Sequence, residues 1–142
     1  MRRRRFVKTA AVSALGASVA PRGLLGQNET RLVILHTNDT HSRIDPFPDD
    51  AGRNAGLGGV ARRATLVKQV RAEHEHVLLL DSGDIFQGTP YFNLFGGEVE
   101  MRVMSEIGYD VATLGNHDFD NGTEGLVRML PHANFEFVCA NY

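Results

Sequence analysis

Three short stretches gather side chains that bind cations or move protons: "HTNDTH" at 36–41, "DSGDIFQG" at 81–88 and "GNHDFD" at 115–120. The last sets Asn116, His117, Asp118 and Asp120 almost side by side, whereas a plain turn needs only a Gly with an Asn or Asp. Asp39 and His41 are two apart, so an extended backbone would point both side chains the same way. A carboxylate oxygen and an imidazole nitrogen could then reach one cation. Asp84 follows Gly83, which permits a sharp turn, and its two oxygens could bridge two metals. Asn116 adds a neutral carbonyl oxygen that holds down total charge. Mixed nitrogen and oxygen ligands suit Zn, Mn, Fe or Mg, and the lack of thiolates argues against a structural zinc site.

Such side chains need elements to position them. Four apolar runs have strand character: Leu32 to Leu35, Val77 to Leu80, Val111 to Leu114 and Phe135 to Val138. They are short and mostly unalternated, as strands buried on both faces are. Helical periodicity marks about 59–75, through Val60, Ala64, Val67 and Val70, and about 98–107, through Val99, Val103, Met104 and Ile107. A shorter helix is expected over 123–130, ended by Pro131. The alternation predicts an α/β domain with a partly parallel sheet. Residues 45–59, "DPFPDDAGRNAGLGG", read as a flexible surface loop.

Three of the four strands run into the ligand-rich stretches, and in a parallel α/β sheet sites form beyond the carboxyl ends of the strands. Taken singly, each stretch has a plainer explanation. Asp39 and Thr40 could form a turn or cap a helix, and Gly-Asp and Gly-Asn pairs are common in turns. Their joint placement behind three successive strands favours a site. His36 reads as packed or supporting, His74 and His76 as residues near a helix end, and His132 as a loop residue.

Residues 1–28 stand apart. An arginine cluster is followed by a weakly apolar run, Thr9 to Ala20, and then small residues, the pattern of an export signal. The run is too short to span a bilayer, which needs about 20 apolar residues. Arg3-Arg4-Arg5-Phe6-Val7-Lys8 resembles the twin-arginine consensus R-R-x-F-L-K, with Val in place of Leu. That implies export through the twin-arginine machinery to the periplasm or beyond, with no stable membrane anchor. Without residues 1–28 the chain holds nine basic and 17 acidic residues, a formal charge of −8. Such a body is repelled by nucleic-acid polymers and anionic membranes, so a phosphate substrate would need a local positive charge such as a metal ion. The lone Cys139 excludes an internal disulfide and is expected in the core.

Together Asp39-Thr40-His41, Gly83-Asp84 and Gly115-Asn116-His117-Asp118 resemble the D-x-H, G-D and G-N-H-[DE] motifs of the calcineurin-like metallophosphoesterases. The strings "LHTNDTHSRI", "GGVARRATLVKQVR", "LLLDSGDIFQGTPYFNLFGGE" and "ATLGNHDFDNG" are similar to the 5′-nucleotidase branch, over about 31–142. The resemblance implies a layered α/β sandwich of which 29–142 form the N-terminal βαβαβαβ part. It implies two divalent ions (Zn, Mn, Fe, Mg or Co). Asp39 and His41 would hold the first, Asp84 would bridge, and Asn116 would bind the second. The family's further histidines and closing strands would follow later in the chain, so 29–142 alone are expected to be inactive.

The expected reaction is hydrolysis of a phosphate monoester, most of all a 5′-nucleotide, by a hydroxide shared between two cations roughly 3.5–4 Å apart. His117 is badly placed to share a metal with its neighbour Asn116, because adjacent side chains diverge. It suits the substrate side, stabilising phosphoryl charge or protonating the leaving group. The resemblance assigns Asp120 as its orienting carboxylate. Cyclic-nucleotide 2′-phosphodiesterase, sugar-phosphatase or thiosulfohydrolase chemistry would use the same scaffold, and a non-catalytic exported binding module is the reading of another class.

Overall fold

The computed structural model describes residues 29–140, so the expected export segment lies outside the described residues. Its frame is a four-stranded sheet in the order β1-β2-β3-β4, with β1 Leu32–Thr37, β2 His76–Asp81, β3 Val111–Ala112 and β4 Glu136–Phe137. Every neighbouring pair is parallel. Parallel neighbours need crossovers, and each one here carries helix. Helix α1 (Val60–Glu73) joins β1 to β2, α2 (Pro90–Phe95) and α3 (Glu98–Ile107) join β2 to β3, and α4 (Gly122–Met129) joins β3 to β4.

Register aligns the strand ends that matter. Thr37 lies opposite Asp81, Asp81 opposite Ala112, and Ala112 opposite Phe137. The three ligand-rich loops therefore leave the sheet at one edge, at nearly one level. Beneath them, Leu79 and Ala112 pack with Val67 of α1, Phe92 of α2, Met101 and Met104 of α3 and Leu126 of α4. Each of the large side chains among these, fully buried, contributes about 1.5–3 kcal/mol of transfer free energy. Arg71 of α1 ties the layer together by donating to the carbonyls of Ile107 (2.8 Å) and Gly108 (2.5 Å) at the end of α3.

Several expectations change. The strands are not buried on both faces: Leu32 and Ile34 of β1 are 55% and 56% exposed, while Leu35 packs against the core. An all-apolar run hides this alternation from the sequence, because both faces carry the same residue type. His36 is exposed rather than packed, while His74 caps the end of α1 and His76, two residues on, opens β2. Cys139 is exposed, beyond the end of β4, and not a core residue. The 45–59 loop is closed on itself: the Phe47 N–H donates to the Leu57 carbonyl and the Gly56 N–H to the Phe47 carbonyl, both at 2.8 Å.

Candidate metal centre

Beyond β1 the chain runs beside the loop that follows β2. The N–H groups of Asp39, His41 and Ser42 donate to the carbonyls of Gly83 (2.9 Å), Asp84 (3.1 Å) and Ile85 (2.8 Å). The backbone here is not extended, as the spacing of Asp39 and His41 suggested. Asp39, His41, Ser42 and Asp84 have φ of +51°, +45°, +51° and +54°. Each such residue costs on the order of 1–2 kcal/mol relative to an ordinary conformation. The loop-to-loop bonds hold the chain there. The side chains still converge, by a different route: Asp39, His41 and Asp84 offer ligand atoms that all lie within 4.8 Å of one another.

The chemistry of this cluster fits a divalent cation. His41 Nδ1 lies 3.2 Å from the Phe86 carbonyl, which can only accept, so that nitrogen carries the proton. Nε2 lies 3.7 Å from Asp39 Oδ1. Two carboxylates in one spot repel until a cation joins them, and the imidazole beside them completes a mixed nitrogen and oxygen donor set.

The loop after β3 closes the second side. Gly83 and Gly115 touch so closely that a Cβ on Gly83 would overlap the Gly115 nitrogen, and one on Gly115 would overlap Asp84 Oδ1. Asn116 is exposed and opens a single 3₁₀ turn, His117–Phe119. The next N–H, from His117, donates to Asp84 Oδ1 at 3.0 Å. Asp118 points the other way, only 2% exposed. It accepts four backbone N–H groups: Ile85 (2.9 Å) and Phe86 (3.1 Å) on Oδ1, and Asp84 (3.0 Å) and Gly115 (2.8 Å) on Oδ2. Burial pushes its pKa up, against the pull of those four bonds.

His117 and Asp120 meet as a pair, Nδ1 to Oδ2 at 3.0 Å. The Asp120 bond raises the His117 pKa above its ordinary 6.5, and the same bond lowers that of Asp120. Gln87 is a third member that sequence reading passed over. Its Nε2 donates to Asp120 Oδ2 at 3.1 Å, and its Oε1 accepts the Gly88 N–H at 3.0 Å, which fixes which way the amide faces. Gln87 adopts φ +70°, a conformation unusual for a residue with a long side chain.

Asp39, His41 and His117 line one cavity of ≈ 730 Å³, together with Arg43, Phe47 and Arg63. Arg43 stacks on Phe47, 4.2 Å from the ring centroid, and Arg63 donates to the Tyr109 hydroxyl at 3.3 Å. The cavity is thus lined by the Asp39 carboxylate, the imidazoles of His41 and His117, and two guanidinium groups. Below it, Asp81 is buried, its pKa raised by desolvation, and its Oδ1 accepts the Gly83 N–H at 2.9 Å. An Asp two residues before a Gly is an Asx-turn signal, so Asp81 was open to discovery from sequence. The roles of Gln87 and Asp118 were not, because their partners come from distant loops.

Comparison with known proteins bears out the fold. The family model for the calcineurin-like phosphoesterase matches residues 32–140. The chain is 51% identical over 114 residues to the snake venom 5′-nucleotidase of Gloydius brevicauda, covering 78% of this chain and 19% of that protein. It is 45% identical over 135 residues to the 5′-nucleotidase of Bos taurus, covering 92% and 23%. Among solved structures it is similar to the 5′-nucleotidase precursor from Thermus thermophilus, with TM-score 0.70, 42% identity, and 78% and 22% of the two chains covered. The NAD nucleotidase of Haemophilus influenzae gives TM-score 0.71 at 36% identity, over 78% and 20%. The chain thus spans about a fifth of the length of these relatives. It belongs to the calcineurin-like phosphoesterase family.

Proposed function

We propose that the protein carrying this chain hydrolyses phosphate monoesters, with 5′-nucleotides as the favoured substrates and nucleoside and phosphate as products. The observation that carries the reading is the convergence of Asp39, His41 and Asp84 within 4.8 Å, at a cavity that His117 also lines. The relatives named 5′-nucleotidase support the nucleotide. A volume of ≈ 730 Å³ lies within the range of about 300–1,000 Å³ usual for small-molecule sites.

Asp39 and His41 would hold one divalent ion, Asp84 would be shared, and Asn116 would serve a second. Bound there, such ions would supply Lewis-acid charge to the phosphoryl group and to the activation of a water. The protein supplies the rest. His117, with Nδ1 bonded to Asp120, turns Nε2 outward. As the imidazolium it donates that proton to the ester oxygen as the P–O bond breaks and the water oxygen bonds to phosphorus. Asp120 holds the tautomer and Gln87 holds Asp120. The guanidinium groups of Arg43 and Arg63 add positive charge to the cavity of an otherwise acidic body.

The test is phosphate release by the protein containing this chain, with Mn²⁺ or Zn²⁺ supplied and then chelated. The panel holds a 5′-nucleotide, a 2′,3′-cyclic nucleotide, a sugar phosphate and a thiosulfonate-bearing substrate. Chelator-sensitive turnover greatest on the 5′-nucleotide is expected, with His117→Ala keeping its metal and losing roughly 10²–10⁴ in kcat. Full activity of His117→Ala would remove the role given to His117. Metal uptake with no turnover on any substrate would favour a binding module.

We further propose that residues 1–28 direct twin-arginine export, on the strength of the Arg3-Arg4-Arg5-Phe6 string. Among the described residues no helix is long and apolar enough to cross a membrane.

A further inference from the structure

Asp118 is buried, and among the described residues its carboxylate is bonded to no charged side chain. Its partners are four backbone N–H groups, which fill about the four lone-pair positions that a carboxylate offers. Three come from the loop after β2, some thirty residues away, and the fourth from Gly115 in the loop of Asp118 itself. Oδ1 is bonded within the loop after β2, at Ile85 and Phe86. Oδ2 spans the gap, taking Asp84 N–H at 3.0 Å and Gly115 N–H at 2.8 Å. Asp84 is the proposed shared ligand, and Gly115 immediately precedes Asn116, the proposed ligand of the second ion.

We propose that Asp118 is a positioning residue that sets the spacing of the metal pair, by clamping its own loop, which carries Asn116, to the loop of Asp84 through both carboxylate oxygens. The inference rests on the ligand assignment of the proposed function. It predicts an unequal effect on the two ions. The Asp39–His41 loop is bonded to residues 83–85 by its own backbone and keeps its place without Asp118. The loop of Asn116 crosses to the loop of Asp84 through the clamp and through the His117 N–H bond to Asp84 Oδ1, so loss of the clamp should fall mainly on the second ion.

No isosteric replacement satisfies this position. An asparagine would turn one acceptor oxygen into an NH₂ facing N–H donors. A glutamate keeps the charge on a longer arm.

The experiment titrates the metal-free, full-length protein with Mn²⁺, following bound ion by electron paramagnetic resonance, for wild type, Asp118→Asn and Asp118→Glu. Wild type should take up two ions with spectra showing magnetic coupling between them. Asp118→Asn should weaken one ion by about 10–100-fold, the usual range for losing a ligand's supporting partner. The other ion should change little, and the coupling should vanish. Asp118→Glu should fall between the two, and it tests the clamp in a folded chain should Asp118→Asn fail to fold.

Two coupled ions bound by a variant as tightly as by wild type would overturn the clamp alone. So would equal loss of both ions in step with loss of folded protein, since a merely structural role predicts that. A wild type that takes up no Mn²⁺ would sink the ligand assignment, and the clamp with it.

Discussion

Asp84 Oδ1 accepts the backbone N–H of His117 at 3.0 Å. The side chain proposed to bind metal therefore also holds the start of the turn proposed to face substrate. Metal position and His117 position are set by one carboxylate, which the spacing of the motifs alone does not reveal.

Asp84→Asn separates those two duties. The amide oxygen can still accept the His117 N–H, but the charge is gone. Metal uptake should fall by at least the ~10–100-fold that loss of a supporting partner costs, while the metal-free variant melts close to wild type. Metal content by mass spectrometry and a thermal melt check both halves. Unchanged metal content would remove Asp84 from the ligand set.

The His117–Asp120 pair makes a pH prediction with a definite sign. The folded pKa of His117 lies above 6.5, so its contribution to stability is complete below 6.5 and disappears as pH rises through the folded value. That of Asp120 lies below 3.8, so its contribution is present above 3.8 and is lost as pH falls through the folded value. The pair therefore stabilises most in mildly acidic solution. Imidazole resonances of the metal-free protein should titrate above 6.5 for His117, and Asp120→Asn should move that midpoint down. In the enzyme the same substitution should shift the alkaline limb of kcat to lower pH.

Gln87→Ala should act in the same direction but more weakly. Gln87 shares the holding of Asp120 with His117, so its removal leaves one of the two bonds in place. A loss of roughly 10-fold in kcat is expected, with little change in KM. A rise in KM alone would place Gln87 on the substrate rather than behind His117.

Gly115→Ala tests the contact between the loops. The added methyl overlaps Asp84 Oδ1, and no flexible side-chain end can yield without losing the ligand. Overpacking of this kind costs about 1–3 kcal/mol, read as a lowered denaturation midpoint, and metal uptake should fall with it. A variant as stable and as metal-replete as wild type would show that the loops are looser than described.

Replacing Arg3 and Arg4 by Lys should keep a reporter fused behind residues 1–28 inside the cell. Export of the altered fusion at the wild-type level would count against twin-arginine targeting.

The major helices were legible because their apolar positions recur over ten residues or more, as in α1 and α3. Helix α2 was missed: at six residues, Pro90–Phe95, it is too short to show a period. The three motif loops could be placed at strand ends, since a parallel α/β order dictates where strands finish. What escaped was long-range and made of backbone. The left-handed turns at Asp39 and His41 depend on bonds to residues 83–85, and the burial of Asp118 depends on N–H groups from residues 84–86 and 115. Apart from Gly115, none of these partners is encoded near the residue that needs it. Cys139 misled for the opposite reason, its apolar neighbours suggesting burial that the end of β4 does not provide.

The abutting glycines carry a consequence for evolvability. Where Gly83 meets Gly115, any side chain on either would strike the other loop or Asp84. Substitution at either glycine therefore displaces the loops that carry the proposed ligands. Change in what the cavity accepts has room instead at Arg43 and Phe47, in the loop after β1, and at Arg63 of α1, none of them in the proposed ligand set. The glycine contact and the side-chain lining of the cavity should thus differ in how much substitution they tolerate.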